Sequence, residues 1–320
     1  MLAELVERAA SGGDEAVEEL AARAAADPAS LTPYLPRLLE AGITWPQVLY
    51  RGADEAFQRQ VVRRVDDGDP ERLYALLLIL AHTTGPVAEQ AFLRWQERPP
   101  PGADALHVPI GRVPAEGGWL PRADGPRRLC GDRAFELAVR ETGDGRPQTE
   151  DTCPWCVNPL WIALDVDTAD PRTAAALAHT GWTGRLRVLT CHYCVCYGTT
   201  FAHVAPDGRA EWSHDTPRPG ALPQGMAPGQ EDPPPSLEFT VGEARPSPYA
   251  ADAWNAGGST LGGHPDWIQN ADVPDCPDCG EAMDYVGTVV GPDIDRYLEG
   301  ANYLFLHAAC RKAAAVHQQS

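Results

Sequence analysis

The chain has 320 residues, with 26 basic and 45 acidic side chains and a formal net charge of −19. Both the first 98 residues and the remainder are acidic on balance and no basic stripe interrupts them, which disfavours phosphate-backbone binding. No apolar run has transmembrane length, and the opening Met1-Leu-Ala-Glu-Leu-Val-Glu-Arg carries acidic residues and no signal-length apolar stretch, so the reading is a soluble, cytoplasmic protein of two domains. An acidic field suits a basic protein partner, although acidity also serves solubility alone. Lys312 is the only lysine in the chain; this reads as codon composition and carries no functional expectation.

Residues 1–98 read as helices. Apolar residues recur at helical spacing in Leu2–Ala10, Ala16–Ala26, Leu31–Leu39, Ala56–Val65, Leu73–His82 and Val87–Trp95. Turn-like breaks separate them, among them Ser11-Gly-Gly-Asp14, Asp27-Pro28, Ala41-Gly42, Thr84-Gly85-Pro86 and Asp67-Gly-Asp-Pro70, where Asp69 suits a helix cap with Pro70 at the first position. Short antiparallel helices joined by tight turns point to a bundle or HEAT-like domain, although no crisp period marks repeats. Residues 99–148 form a connector, rich in Pro and Gly over 99–125, with a further helix at Asp132–Arg140. From residue 149 to 320 short apolar strands alternate with cysteine pairs, interrupted by a Pro-rich loop at 214–235.

Six of the nine cysteines stand in C-x-x-C pairs, and in a reducing compartment such spacing argues for metal before disulfides. Cys153-Pro-Trp-Cys156 and Cys191-His-Tyr-Cys194 form one constellation. Cys276-Pro-Asp-Cys279 and His307-Ala-Ala-Cys310 form the other. Two knuckles brought together give tetrahedral coordination with no open position, as in structural zinc sites; iron is the main rival for four cysteines. The constellations repeat each other: each has a knuckle, a short turn and a β-rich strand, then a strand leading into the closing knuckle. Aligning the halves sets His307 opposite Cys191, which is the reason for naming it a ligand.

Other readings stand beside this one. Cys153-Pro-Trp-Cys156 has the spacing of a redox pair, but polar turn sequence precedes it and a strand follows, the reverse of what a low-pKa thiol at a helix start needs. Buried free cysteines are a further reading. His192 and Cys196 flank Cys194 and are alternative ligands. Cys130 stands outside these spacings and reads as a small core residue. Asp165, Asp167 and Asp170 read as a solvated acidic loop.

At Leu261-Gly-Gly-His-Pro-Asp-Trp-Ile-Gln269, then Val273-Pro-Asp-Cys-Pro-Asp-Cys-Gly280 and an Ala-Met-Asp-Tyr-Val-Gly strand, the sequence resembles the bacterial YwqG-like family of largely uncharacterised α+β proteins. The likeness covers about residues 235–310 well and 150–205 loosely, and leaves out the N-terminal helices. Gly287-Thr288 stands near the family's usual Ala-Gln, and His307 where a cysteine is common. The resemblance implies repeated antiparallel sheet units and brings no activity. Gly262-Gly263 suits a tight turn or close backbone approach, and Trp267 with Ile268 reads as core or as a partner anchor.

No catalytic constellation of familiar spacing is present, and His82, His107, His179, His203, His214, His264 and His317 are scattered. The expectation is therefore an α+β chain: an N-terminal helical domain followed by a duplicated antiparallel β-sheet domain with two zinc knuckle sites. Its expected function is that of a non-enzymatic protein-interaction module, in one version an immunity or antitoxin-like protein against a basic partner. The alternatives are an enzyme with a cleft between the sheet repeats near His264 and Trp267, and a zinc-ribbon nucleic-acid binder.

Overall fold

The apolar-periodic segments of the first hundred residues are helical in the computed structural model, which describes residues 1–68, 71–83, 85–142, 149, 151–215, 218–222, 236–246, 258–294 and 299–319. The helices are α1 (Leu2–Ala10), α2 (Asp14–Ala26), α3 (Leu35–Glu40), α4 (Glu55–Asp67), α5 (Leu73–Thr83) and α6 (Pro86–Glu97). Only the start of the 31–39 segment differs: Pro28–Tyr34 is a 3-10 helix, with Pro33 lacking the amide that an α-helix interior requires. Asp54 caps α4 by accepting from the Phe57 amide at 2.8 Å, and Gly68, at φ 79°, closes its other end. The expected cap at Asp69-Pro70 and most of the Pro-rich stretch lie outside the described residues.

The described residues divide into two units, the first Met1–Leu129 and the second beginning at Cys130, so the boundaries expected at 98 and 149 both move. Residues 99–129 belong to the helical unit because they complete its core. Val113 and Trp119 are buried in it, and Trp119 Nε1 donates to the Ala81 carbonyl at 2.7 Å. A Cβ on Gly117 would lie 1.9 Å from that same oxygen, so only glycine lets the chain wrap this closely. Phe92 meets both Trp95 and Trp119 edge-on, with ring centroids 5.4 and 5.7 Å apart. A two-stranded ribbon, β1 (Trp119–Leu120) and β2 (Arg127–Arg128), ends the unit.

The helix expected at Asp132–Arg140 is a strand, β3 (Ala134–Glu141). Phe135, Leu137 and Val139 point inward while Glu136, Ala138 and Arg140 are exposed, a period of two that a helical reading of nine residues overlooks. The second unit continues with β4 (Trp161–Asp167), α7 (Pro171–Leu177), β5 (Arg185–Thr190), β6 (Thr200–Val204), β7 (Ala210–Trp212), β8 (Leu237–Arg245), β9 (Thr260–Gly262), β10 (Asp284–Val290), β11 (Ala301–His307) and β12 (Lys312–Gln318). Eight strands form one antiparallel sheet in the order β7-β6-β12-β11-β10-β9-β3-β8, and β4 and β5 form a separate ribbon. The α+β class holds, but the two halves do not make two independent sheets. The strand after each closing knuckle, β6 in the first half and β12 in the second, pairs antiparallel with the other, Ala202 opposite Ala313.

Trp161, Leu164, Val188 and Leu186 of the ribbon share a core with Leu261, Val286, Leu304, Leu306 and Ala315 of the sheet. Tyr303 and Phe305 alternate onto the other face of β11, where Trp267 stacks on them at 4.5 and 6.2 Å; Trp267 is thus packed against the sheet. Gly262 and Gly263, at φ 72° and 71°, make the turn that allows this, and a Cβ on Gly262 would lie 2.5 Å from the Arg133 carbonyl.

Candidate metal centres

Cys153 and Cys276 begin the same local structure. The Cys153 amide donates to the Asn158 carbonyl at 2.8 Å, and the Cys276 amide to the Glu281 carbonyl at 2.7 Å. Four residues on, the amides of Val157 and Gly280 turn back to the carbonyls of Cys153 and Cys276, each at 2.8 Å. A strand starts eight residues after each leading cysteine, β4 at Trp161 and β10 at Asp284. Each strand then carries a bulge at the same step, between Ile162 and Leu164 in one and between Tyr285 and Gly287 in the other. Their partners β5 and β11 run straight into the closing knuckles.

Each antiparallel pair thus carries a knuckle at its open end, and the pairing register brings the knuckles together. Sγ atoms of Cys153, Cys156, Cys191 and Cys194 all lie within 4.8 Å of one another, all four residues buried. The Cys153–Cys194 and Cys156–Cys191 sulfur separations are 3.7 and 3.5 Å. A tetrahedral thiolate site with metal–sulfur bonds of about 2.3 Å has sulfur–sulfur edges of about 3.8 Å, so the quartet is already at ligating size. Cys276, Cys279, His307 and Cys310 form the second quartet within the same 4.8 Å limit, with Cys276 buried, His307 and Cys310 half-buried and Cys279 exposed. The His307 ring nitrogens lie 3.8 and 3.9 Å from Cys279 Sγ.

The donor chemistry fits a cation. In the first quartet the Cys153 hydrogen bond holds the Cys156 thiol far below its ordinary range, while Cys153 pushes Cys191 and Cys194 far above theirs. Cys153 is lowered too, the opposing effect of Cys156 being outweighed by hydrogen bonds from Cys191 and Cys194. Two of the thiols thus favour the thiolate beside their neighbours' protons, and four thiolates together need a positive ion. In the second, burial raises Cys276, and desolvation followed by the Cys279 hydrogen bond takes Cys310 up to about 12. Backbone amides support the first site, Trp155 N donating to Cys153 Sγ at 3.4 Å and Cys194 N to Cys191 Sγ at 3.5 Å. These are the only two such groups of His, Cys, Asp and Glu among the described residues.

The alternative ligands stand outside the quartets. Cys196 is exposed, its Sγ directed to the His192 carbonyl at 3.7 Å, and His192 packs on Trp161 with centroids 5.6 Å apart. Cys130, expected in a core, is half-buried and apart from both sites. The acidic run is solvent-facing, with Asp167 exposed, but it is not one loop, since Asp165 and Asp167 stand in β4. Asp165 binds Arg185 at 2.6 and 2.7 Å and Arg187 at 2.8 Å across the ribbon, Asp167 accepts from the Ala169 amide, and Asp170 caps α7. His264 Nδ1 lies 2.8 Å from the Pro265 carbonyl. Sequence reasoning passed over Lys312, whose fully buried ammonium reaches Asp215 at 2.5 Å and Asp278, inside the second leading knuckle, at 3.2 Å.

No family model matches the chain, and no solved structure matches it. It is similar to a curated protein of Salmonella typhimurium described as the uncharacterized protein YpfL, 29% identical over 324 residues, an alignment spanning 97% of this chain and 74% of that protein. Among the described residues no helix is long and apolar enough to cross a membrane.

Proposed function

We propose that both quartets hold structural zinc ions and that the chain is a zinc-stapled protein-binding module, acting in the reducing cytoplasm on a partner of net positive charge. The observation that carries this is the ligand count. Each quartet offers four protein donors to one point from two knuckles fixed by strand pairing, and a site filled by four protein ligands offers no position to a substrate. Thiolate and imidazole donors suit zinc. The net charge of −19 supports a basic partner, the immunity or antitoxin-like version included. Elemental analysis of the purified chain tests the metal half. About two zinc ions per chain are expected from two closed sites, and a chain holding iron or no metal overturns it.

An enzyme working near His264 and Trp267 is the second reading, favoured by one observation. The carboxyl of Asp266, between them, is pushed up to about 8 by burial, against the pull of Arg245, a shift of the kind found in catalytic acids as well as in structural sites. A small molecule turned over by the wild type and spared by an Asp266→Asn variant would support it.

A further inference from the structure

The residue two places after each leading cysteine is Trp155 in the first knuckle and Asp278 in the second. Their side chains differ completely, yet both lead to one short segment, Trp212–Asp215, at the end of β7, Trp155 by direct contact and Asp278 through Lys312. Trp155 meets Trp212 edge-on, with centroids 5.1 Å apart and planes at 85°. Asp278 is bound by Lys312 Nζ at 3.2 Å, and the same ammonium binds Asp215 Oδ2 at 2.5 Å, Ser213 Oγ at 3.2 Å and His203 Nε2 at 3.2 Å. Ser213 Oγ in turn donates to Asp215 Oδ2 at 2.5 Å. The Lys312 side chain is fully buried, whereas those of Asp215 and Asp278 are partly open.

We propose that Trp212–Asp215 is a strap that couples the two metal centres, with Lys312 as the positioning residue that ties the second knuckle to it. The inference rests on the metal-site reading above. A buried ammonium is tolerated only when its charge is matched and its protons are directed, and here the matching groups are one acid from the knuckle and one from the strap. Losing either acid leaves the other to carry a buried charge alone. The strap then shifts, and Trp212 moves with it because only Ser213 and His214 separate it from Asp215. The second knuckle is thus held through a charge and the first through an aromatic contact, both on one backbone segment. A guanidinium at 312 is larger than the ammonium and demands more donors' worth of acceptors, so arginine is not an equivalent.

The test uses the full chain produced in cobalt-supplemented medium. Four-sulfur and three-sulfur-one-nitrogen cobalt sites have separate visible bands, so loss to excess chelator is followed at each centre. Asp278→Asn leaves all eight ligands in place and should speed loss from the Cys276 centre about tenfold, the scale of outer-shell effects on metal retention. Asp215→Asn, altered at a partly open position that touches neither knuckle, should speed loss from both centres. Lys312→Met should do so more strongly, with Lys312→Arg giving no rescue. Wild-type loss rates at the Cys276 centre in Asp278→Asn overturn the positioning role. An unchanged rate at the Cys153 centre in Asp215→Asn overturns the coupling. A wild-type chain that takes up no cobalt overturns the metal reading itself, and the strap with it.

Discussion

Val157 and Gly280 occupy the same place in the two knuckles, four residues after the leading cysteine, and both have left-handed backbone, φ 66° and 76°. The turn back to the cysteine carbonyl requires that conformation. Glycine adopts it freely, whereas a β-branched residue does so at a cost of about 1–2 kcal/mol. Val157 is 52% exposed and so recovers little by burial. Val157→Gly should therefore stabilise the metal-loaded second unit by about 0.5–1 kcal/mol, after the added flexibility of the unfolded chain is subtracted. Gly280→Val, with open space around its Cβ, should destabilise through φ alone. Urea denaturation of both variants checks this; a Val157→Gly variant weaker than wild type would mean that Val157 makes a contact that outweighs the strain.

The two quartets should lose metal in a set order. Cys279 is exposed and Cys310 and His307 are half-buried, whereas all four cysteines of the first quartet are buried. Chelation should empty the Cys276 centre first, and an alkylating reagent should reach Cys279 before Cys153, which becomes reactive only after metal loss. Mass mapping of labelled peptides over time gives the order. Fast labelling of Cys153 in the metal-loaded chain, or insulin-disulfide reduction by it, would favour redox chemistry instead.

Removing one ligand should be felt mainly in the second unit. Metal binding in a module of short strands is largely folding energy, so Cys153→Ser or Cys276→Ser, losing about 4 kcal/mol, should lower its thermal midpoint by about 10 °C. The helical unit has its own core around Leu38, Leu77, Phe92 and Trp95 and holds neither quartet, so its transition should move less. Calorimetry resolves the two transitions, and variants that melt like the parent would deny the metals a structural role.

The helices were legible because Leu and Ala recur at helical spacing between Gly- and Pro-marked breaks. The quartets were legible because thiol spacing is dictated by coordination chemistry and does not depend on the rest of the fold. The strand at Ala134–Glu141 was not, since its eight residues include Glu, Leu, Ala and Arg, all good helix formers, and only pairing with β8 and β9 decides the matter. Nor was the first unit's extension to Leu129, which depends on Trp119 finding the Ala81 carbonyl nearly forty residues back. Lys312 carried a signal that went unused. The lone lysine of a chain otherwise furnished with arginine is the residue whose fully buried ammonium binds Asp215 and Asp278.

Asp266 makes stability depend on pH. Its carboxyl titrates near 3.8 when free and at about 8 in the folded chain, raised by burial and opposed by Arg245. The folded state therefore prefers the protonated acid. That stability is complete below about pH 4, falls away as pH rises toward 8, and is level above. Asp266→Asn removes the titration, so its stability relative to wild type should climb between pH 5 and 8. The gain should be on the order of 2 kcal/mol once partial solvent access is allowed for. Denaturant melts at both pH values check it, and an equal difference at each would show that the carboxyl is ionised in place.

The charge of the chain sets the last expectation, on association. At −19 the field attracts basic surfaces and repels phosphate backbones over distances limited by the Debye length, about 8 Å at physiological salt. A partner found by this field should be net positive. Its association rate should fall about tenfold between 50 and 500 mM salt, with dissociation nearly unchanged, because steering acts on the encounter and not on the docked contact. Stopped-flow binding across a salt series separates the two rates, and gel shifts with duplex and single-stranded DNA and with RNA provide the opposing case. Salt-sensitive retention of nucleic acid at physiological salt would mean that arginines cluster on one face in a way the net charge hides. The chain would then be a zinc-ribbon nucleic-acid binder. A partner rate indifferent to salt would remove electrostatics as the basis for partner choice and leave −19 as a solubility feature.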